Sequence, residues 1–167
     1  MLPAPTHAPR PAPSSSVSAS AMSVAGDGGG HRPGEAPAGV GVRESGERPR
    51  VLVVDDAPDV TEMISVLLRY AGYDVVTVFS GSQALDAAGA SAFDVIVSDI
   101  GMPGMNGYEL AERLRASDMH RQTPMIALTG FSMYDDRDRA LAAGFNAFLT
   151  NPVPPSELLS LVERLRG

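Results

Sequence analysis

Five short apolar segments recur along the chain, beginning near residues 51, 73, 94, 124 and 146 with the sequences VLVVD, YDVVTVF, DVIVSD, PMIALT and NAFLT. Their starts lie 22, 21, 30 and 22 residues apart. Those intervals are too long for hairpins and leave room for a helix between strands. The segments show little polar alternation, as strands covered on both faces should. Between the first two, Val60, Met63, Ile64, Leu67, Leu68 and Ala71 fall at helical spacing. Pro58 suits the first turn of that helix and Gly72 its exit. Shorter patterns predict helices over 81–90, 107–116, 133–143 and 154–165, with Gly89 and Gly144 near two of their ends. The alternation βαβαβαβαβα predicts an α/β fold, a doubly wound parallel sheet with helices on both faces.

Composition confines that fold to the second part of the chain. The first 50 residues hold 8 of the 14 prolines and 8 of the 17 glycines, with no Phe, Tyr, Trp or Ile. Such a stretch cannot bury enough apolar surface to offset the entropy of ordering it. Residues 1–49 are therefore expected to be a disordered tail rich in Pro, Gly, Ser and Ala, and residues 50–167 one domain. The first 50 residues carry five Arg against four acids, and residues 51–167 eight Arg against sixteen, which together make the net charge of −7. An acidic domain suits a cation better than a nucleic acid, which needs a clustered basic face. Without Cys there is no disulfide framework, thiolate metal site or Cys nucleophile. His7, His31 and His120 lack metal-ligand spacing and read as incidental surface residues. No apolar run approaches a membrane span of about 20 residues, and the N-terminus lacks the apolar core of a secretory signal, so a cytoplasmic location is expected.

In a doubly wound sheet, ligands bind beyond the carboxyl ends of the strands. Asp55 and Asp56 end the first strand, Asp99 the third, Thr129 the fourth, and the fifth runs into Thr150-Asn151-Pro152. If strands one and three are neighbours, three carboxylates meet. They would repel one another unless a cation intervenes. Mg²⁺ fits, because it takes one or two carboxylates and keeps places for water and a phosphate oxygen.

These residues carry a resemblance to a known family. Val-Leu-Val-Val-Asp55-Asp56, Ser98-Asp99-Ile-Gly-Met102-Pro103-Gly-Met-Asn-Gly107, Ala127-Leu128-Thr129-Gly130 and Phe148-Leu-Thr-Asn151-Pro152 stand in order at strand ends. From Arg50 to Leu165 the chain resembles the receiver domain of two-component response regulators. The resemblance implies a flavodoxin-like five-stranded sheet of order 2-1-3-4-5. It implies that Asp99 is the phosphoacceptor, taking a phosphoryl group from a histidine kinase or phosphotransfer protein. It further implies that Asp56 binds Mg²⁺ directly, Asp55 through water, and the Gly101 backbone carbonyl completes the protein's share. Thr129 and Phe148 match the residues that switch conformation after transfer, and the Asn151–Pro152 bond is expected to be cis. Phrases around Ala127–Phe131 and Ala142–Ala147 look most like receivers of hybrid kinases. With no output domain after Gly167, a stand-alone regulator signalling to another protein is expected.

One position departs from the family pattern. Its lysine on the fifth strand is Asn151 here, and the chain contains no lysine at all. Asn offers a neutral amide where Lys offers a fixed charge, a difference of about 1–2 kcal/mol in hydrogen-bond strength. Two outcomes follow: a phosphorylatable receiver with altered coupling, or a pseudo-receiver that binds partners constitutively. Readings from other classes fail on particular residues. A haloacid-dehalogenase-like phosphatase needs an Asp where Gly101 stands, and a flavodoxin-like electron carrier needs a phosphate loop where Asp55 and Asp56 stand.

Overall fold

A computed structural model describes residues 46–130 and 134–167, without the side chains of residues 134–136. The expected tail therefore lies outside the described residues, apart from 46–49.

The elements alternate throughout: β1 (Arg50–Val54), α1 (Pro58–Tyr70), β2 (Asp74–Val78), α2 (Gly81–Ala90), β3 (Val95–Asp99), α3 (Gly107–Ala116), β4 (Met125–Thr129), α4 (Tyr134–Ala143), β5 (Ala147–Thr150) and α5 (Pro155–Leu165). The strands form one parallel sheet of order β2-β1-β3-β4-β5. This is the order the resemblance implied. β3 and β4 are buried apart from the end of β3, whereas β2 and β5, at the edges, are partly open. The continuous apolar runs are thus the interior strands.

Alternation along the strands divides the core in two. Leu52, Val54, Ile96, Met125 and Ala127 face α2, α3 and α4, meeting Ala84, Leu110, Leu114 and Ala140. Val51, Val53, Val97, Ile126 and Leu128 face α1 and α5, meeting Ile64, Leu68, Leu158 and Val162. Each fully buried aliphatic side chain contributes about 1.5–3 kcal/mol relative to an exposed one.

Local chemistry fixes the helix ends. Ser80 accepts from Gln83 N at 3.2 Å to start α2, while the Gln83 side chain accepts from Phe79 N at 2.9 Å. Asn106 and Glu109 form a reciprocal capping box that starts α3. Pro58 and Pro155 occupy first turns. Gly72, at φ +96°, turns the chain from α1 back toward β2.

Two readings need refinement. Of the apolar stripe on α1, Ile64 and Leu68 are buried and Val60 and Leu67 pack half-buried against the same core, while Met63 and Ala71 are exposed; Thr61 and Ser65 are buried beside them. Thr61 and Ser65 tolerate burial because their hydroxyls donate to Pro58 O and Glu62 O, both at 2.9 Å. Met63, Val66 and Tyr70 (95% exposed) remain on the surface. His120, expected at the surface, is only 1% exposed. Its Nε2 lies 2.9 Å from Ala88 O and 3.2 Å from Ser91 O, and its Nδ1 lies 3.1 Å from Thr123 Oγ1. Two carbonyl neighbours require the proton on Nε2, so the ring donates to the C-terminal end of α2. It also stacks on Phe93 at 6.0 Å between centroids.

Arg115 provides a second long-range tie. Its guanidinium donates to the carbonyls of Gly144, His120, Arg121 and Thr123 and to Asn146 Oδ1, at 2.7–3.1 Å. Asn146 Oδ1 also accepts from Met125 N at 2.9 Å. The end of α3 is thereby bound to the loops before β4 and β5. Burial pulls the Arg115 pKa downward. No helix among the described residues is long and apolar enough to cross a membrane.

Candidate functional site

The sheet places the candidate residues by register. Val54 pairs with Ser98 and Asp99 with Leu128, so the residues leaving β1, β3 and β4 emerge side by side. Asp55 N still donates to Val78 O at 3.2 Å, and Ile100 N to Leu128 O at 3.1 Å, carrying the sheet's pairing past both strand ends. One carboxylate oxygen from each of Asp55, Asp56 and Asp99 then lies within 4.8 Å of the others.

The three carboxylates differ in environment. Asp55 is buried at 3% exposure, Asp56 is exposed and Asp99 is half-buried. Burial pushes the Asp55 pKa up to about 6, with the negative charges of Asp99 and Asp56 adding to the shift. The hydrogen bond from Ala57 N to Asp55 Oδ1, at 2.9 Å, opposes it. Burial also raises the Asp99 pKa, helped by the Asp56 charge and opposed by backbone hydrogen bonds from Gly101 and Ile100.

A cavity of about 440 Å³ holds this cluster, and Gly101, Thr129, Gly130 and Asn151 line it as well. Among the described residues, no Lys, Arg or His lines it. The donor set is all oxygen and negatively charged, as a hard divalent cation requires. Two ligands of one Mg²⁺ at about 2.1 Å stand at most about 4.2 Å apart, so separations up to 4.8 Å suit a cluster in which one carboxylate acts through water. The residues present fit the ion.

Thr129 Oγ1 is buried without a hydrogen-bond partner among the described residues. A buried hydroxyl left in that condition costs about 1–3 kcal/mol, so a ligand oxygen entering the cavity would relieve a real deficit. Asn151 is held by its backbone N–H, which donates to Thr129 O at 2.7 Å, and the bond to Pro152 is cis as expected. Among the candidates, only Phe148 lies outside this cavity. It stands on β5 opposite Ala127, half-buried against the core cluster beneath α2–α4. The Arg137 guanidinium carbon stands 5.3 Å from its ring centroid.

Gly107, quoted above only as part of a motif, has a positioning role. A Cβ there would fall 2.4 Å from Asp99 O and 2.7 Å from Ile100 Cα. Its N–H donates to Ile100 O at 3.0 Å. Glycine thus lets the start of α3 pack directly against the backbone that carries Asp99. The signal available in the sequence was Asn106-Gly107-x-Glu109, a helix start placed immediately after a strand-end carboxylate.

A five-stranded sheet of this order, with acidic residues converging at the ends of β1 and β3, defines a receiver-type signalling module. The model of the response regulator receiver domain matches residues 51–163, and the chain belongs to that family. An uncharacterized 14.6 kDa protein in the sodA1 3' region of Leptolyngbya boryana is 39% identical over 114 residues, covering 68% of this chain and 87% of that one. The sensor protein GacS of Pseudomonas syringae pv. syringae is 35% identical over 133 residues, covering 78% of this chain, which spans 15% of GacS. The receiver domain of the sensor histidine kinase PA1611 of Pseudomonas aeruginosa, solved with a magnesium ion coordinated in its active-site cleft, superposes with a TM-score of 0.68. It is 34% identical, over 72% of this chain and 99% of that one. Receiver domains bind Mg²⁺ at this acidic pocket and interact with histidine kinases or phosphotransfer proteins.

Proposed function

We propose that this domain accepts a phosphoryl group on Asp99 from a phosphohistidine of a histidine kinase or phosphotransfer protein, in a Mg²⁺-dependent reaction, and signals to a downstream protein by switching conformation. The observation that carries this reading is the juxtaposition of three carboxylates with the unpartnered Thr129 hydroxyl in one cavity. An Asp99 oxygen attacks phosphorus, forming an O–P bond as the P–N bond breaks. The bonding pair returns to the ring nitrogen that held phosphorus, and the imidazole leaves neutral, keeping the proton already on its other nitrogen. A carboxylate is a weak nucleophile, so positioning and neutralisation of charge do most of the catalysis.

Mg²⁺, when bound, neutralises phosphoryl charge and relieves carboxylate repulsion. Asp56 and Asp99 would hold it directly, Asp55 through water, and the Gly101 carbonyl would complete the protein's share. Ala57 N–H fixes the Asp55 carboxylate for that task. The exposed glycine Gly130 leaves the mouth open to a donor imidazole, no described residue lying within 4 Å of where its Cβ would be. After transfer, Thr129 Oγ1 donates to a phosphoryl oxygen. Phe148 then moves inward as the threonine leaves its place. Asn151 contributes at most a neutral amide to the phosphoryl group, so the switch is less tightly coupled to phosphorylation than a lysine would make it.

A second reading has its own observation. Among the described residues, the cavity lined by three aspartates and Asn151 has no basic side chain, which suits a pseudo-receiver that binds partners without phosphate. Amide NMR of the full chain separates the two. In the first reading, Thr129 and Phe148 resonances move when beryllofluoride, a phosphoryl mimic, is added in the presence of Mg²⁺. Movement with Mg²⁺ alone, and none with the mimic, would establish the second.

A further inference from the structure

The described side chains of helix α4 offer little apolar surface with which to hold its place. Among its described side chains, Ala140 and Ala143 are the buried ones. Two arginines supply other attachments. Arg139 places its guanidinium carbon 4.2 Å from the ring centroid of Tyr108, a buried residue of α3. Arg137 does the same toward Phe148 of β5 at 5.3 Å. With about 100° of rotation per residue, Arg137 and Arg139 flank the Ala140–Ala143 stripe on opposite sides. The helix is thus tied to α3 on one side and to β5 on the other.

The two ties differ in what they hold. Tyr108 is enclosed by the core, so the Arg139 contact joins α4 to a fixed ring. Phe148 is only half-buried, with the core cluster on one side and the exposed Arg137 on the other. A cation attracts an aromatic face within about 6 Å of the centroid. At 5.3 Å, an inward displacement of the ring by more than about 1 Å leaves that range.

We propose that Arg137 is a positioning residue for Phe148: its stacked guanidinium holds the ring in the half-buried position and sets the balance between that position and an interior one. Moving the ring inward breaks the Arg137 tie and leaves the Arg139 tie intact. The change at Phe148 is thereby transmitted to one side of α4. That Phe148 moves during signalling rests on the function proposed above; that Arg137 restrains it does not.

The test uses the full chain with ¹³C-labelled phenylalanine, the Phe148 ring signals being assigned from Phe148→Leu. Wild type, Arg137→Gln and Arg137→Lys are compared with no phosphodonor present, reading ring shifts and the NOE between the Phe148 ring and the Thr129 methyl group. Arg137→Gln should raise the interior-to-surface ratio about three- to fivefold and strengthen that NOE. Arg137→Lys, retaining a cation, should fall between. Identical ring shifts and NOEs in wild type and Arg137→Gln would overturn the proposal, as would equal effects of Gln and Lys. Beryllofluoride with Mg²⁺ is then added to wild type. Failure of the ring to move at that step counts against the phosphorylation reading, whatever Arg137→Gln has shown.

Discussion

Replacing Gly107 by Ala adds a single methyl group to α3, yet the structure predicts a double penalty. The new Cβ would lie 2.4 Å from Asp99 O and 2.7 Å from Ile100 Cα. Ordinary contacts are about 3.3 Å for carbon to oxygen and at least about 3.5 Å for carbon to carbon. Both gaps are therefore short by about 0.8–0.9 Å. The obstructing atoms belong to the backbone at the end of β3, which cannot rotate aside as a side chain can. Overpacking of this kind costs about 1–3 kcal/mol, partly offset by up to about 1 kcal/mol from alanine's higher helix propensity. A net loss of about 1–2 kcal/mol should lower the midpoint of thermal unfolding by roughly 4–10 °C for a domain of this size. The displaced atoms also carry Asp99, and a misplacement of about 1 Å in a reacting group costs on the order of 100-fold in rate. Gly89→Ala provides the control, because a Cβ there meets nothing within 4 Å. Unfolding followed by circular dichroism, and labelling by acetyl phosphate, would be measured for both variants. Gly89→Ala should be neutral or slightly stabilising, with an unchanged labelling rate. If Gly107→Ala matches it in both assays, the close packing of α3 on β3 does not position the acceptor.

Three further outcomes are expected. Asn151→Lys adds a cation to a cavity whose described lining has none, so isothermal titration should show Mg²⁺ affinity falling several-fold, and NMR a larger response to beryllofluoride; no gain in that response would refute the role given to position 151. Arg115→Ala removes a guanidinium from the carbonyls of Gly144, His120, Arg121 and Thr123 and should destabilise the fold by about 2–3 kcal/mol in urea unfolding; a loss below about 0.5 kcal/mol would contradict its structural role. Asp55 has a pKa raised from 3.8 to about 6, so in EDTA the folded state binds more protons than the unfolded state between those values. Stability through this group is full below about pH 3.8 and declines as pH rises through about 6, by roughly 2–3 kcal/mol in all. Urea midpoints in EDTA should therefore carry this downward contribution between about pH 4 and 6.5 and level off above it, abolished in Asp55→Asn and relieved by Mg²⁺; identical pH profiles for wild type and Asp55→Asn would refute it.

Strand positions were legible because β1, β3 and β4 are covered on both faces and therefore read as unbroken apolar runs. The carboxylate cluster was legible for a related reason: parallel strands all end at the same side of the sheet, so Asp55, Asp56, Asp99, Thr129 and Asn151 could be placed together before any coordinates. The buried face of α1 was harder to read. Thr61 and Ser65 enter the core because their hydroxyls find carbonyls within the same helix, while Met63 is left outside. Periodicity counts apolar residues and does not register polar groups satisfied locally.

His120 and Arg115 were hidden for a different reason. Their partners lie 32 and 29 residues away, at the end of α2 and the start of the β5 loop, and side-chain to backbone ties of that span leave no local pattern. Phe148 was grouped with the site by resemblance, but it stands outside the cavity on β5, where its contact with Arg137 could not be inferred from spacing.

Mg²⁺-dependent labelling of the full-length protein with radiolabelled acetyl phosphate, beside Asp99→Asn, tests the central claim most directly. The account predicts an acid-stable, base-labile label in the wild type, lost with EDTA and absent from the variant. An unlabelled wild type that still binds Mg²⁺, or equal labelling of Asp99→Asn, would contradict it.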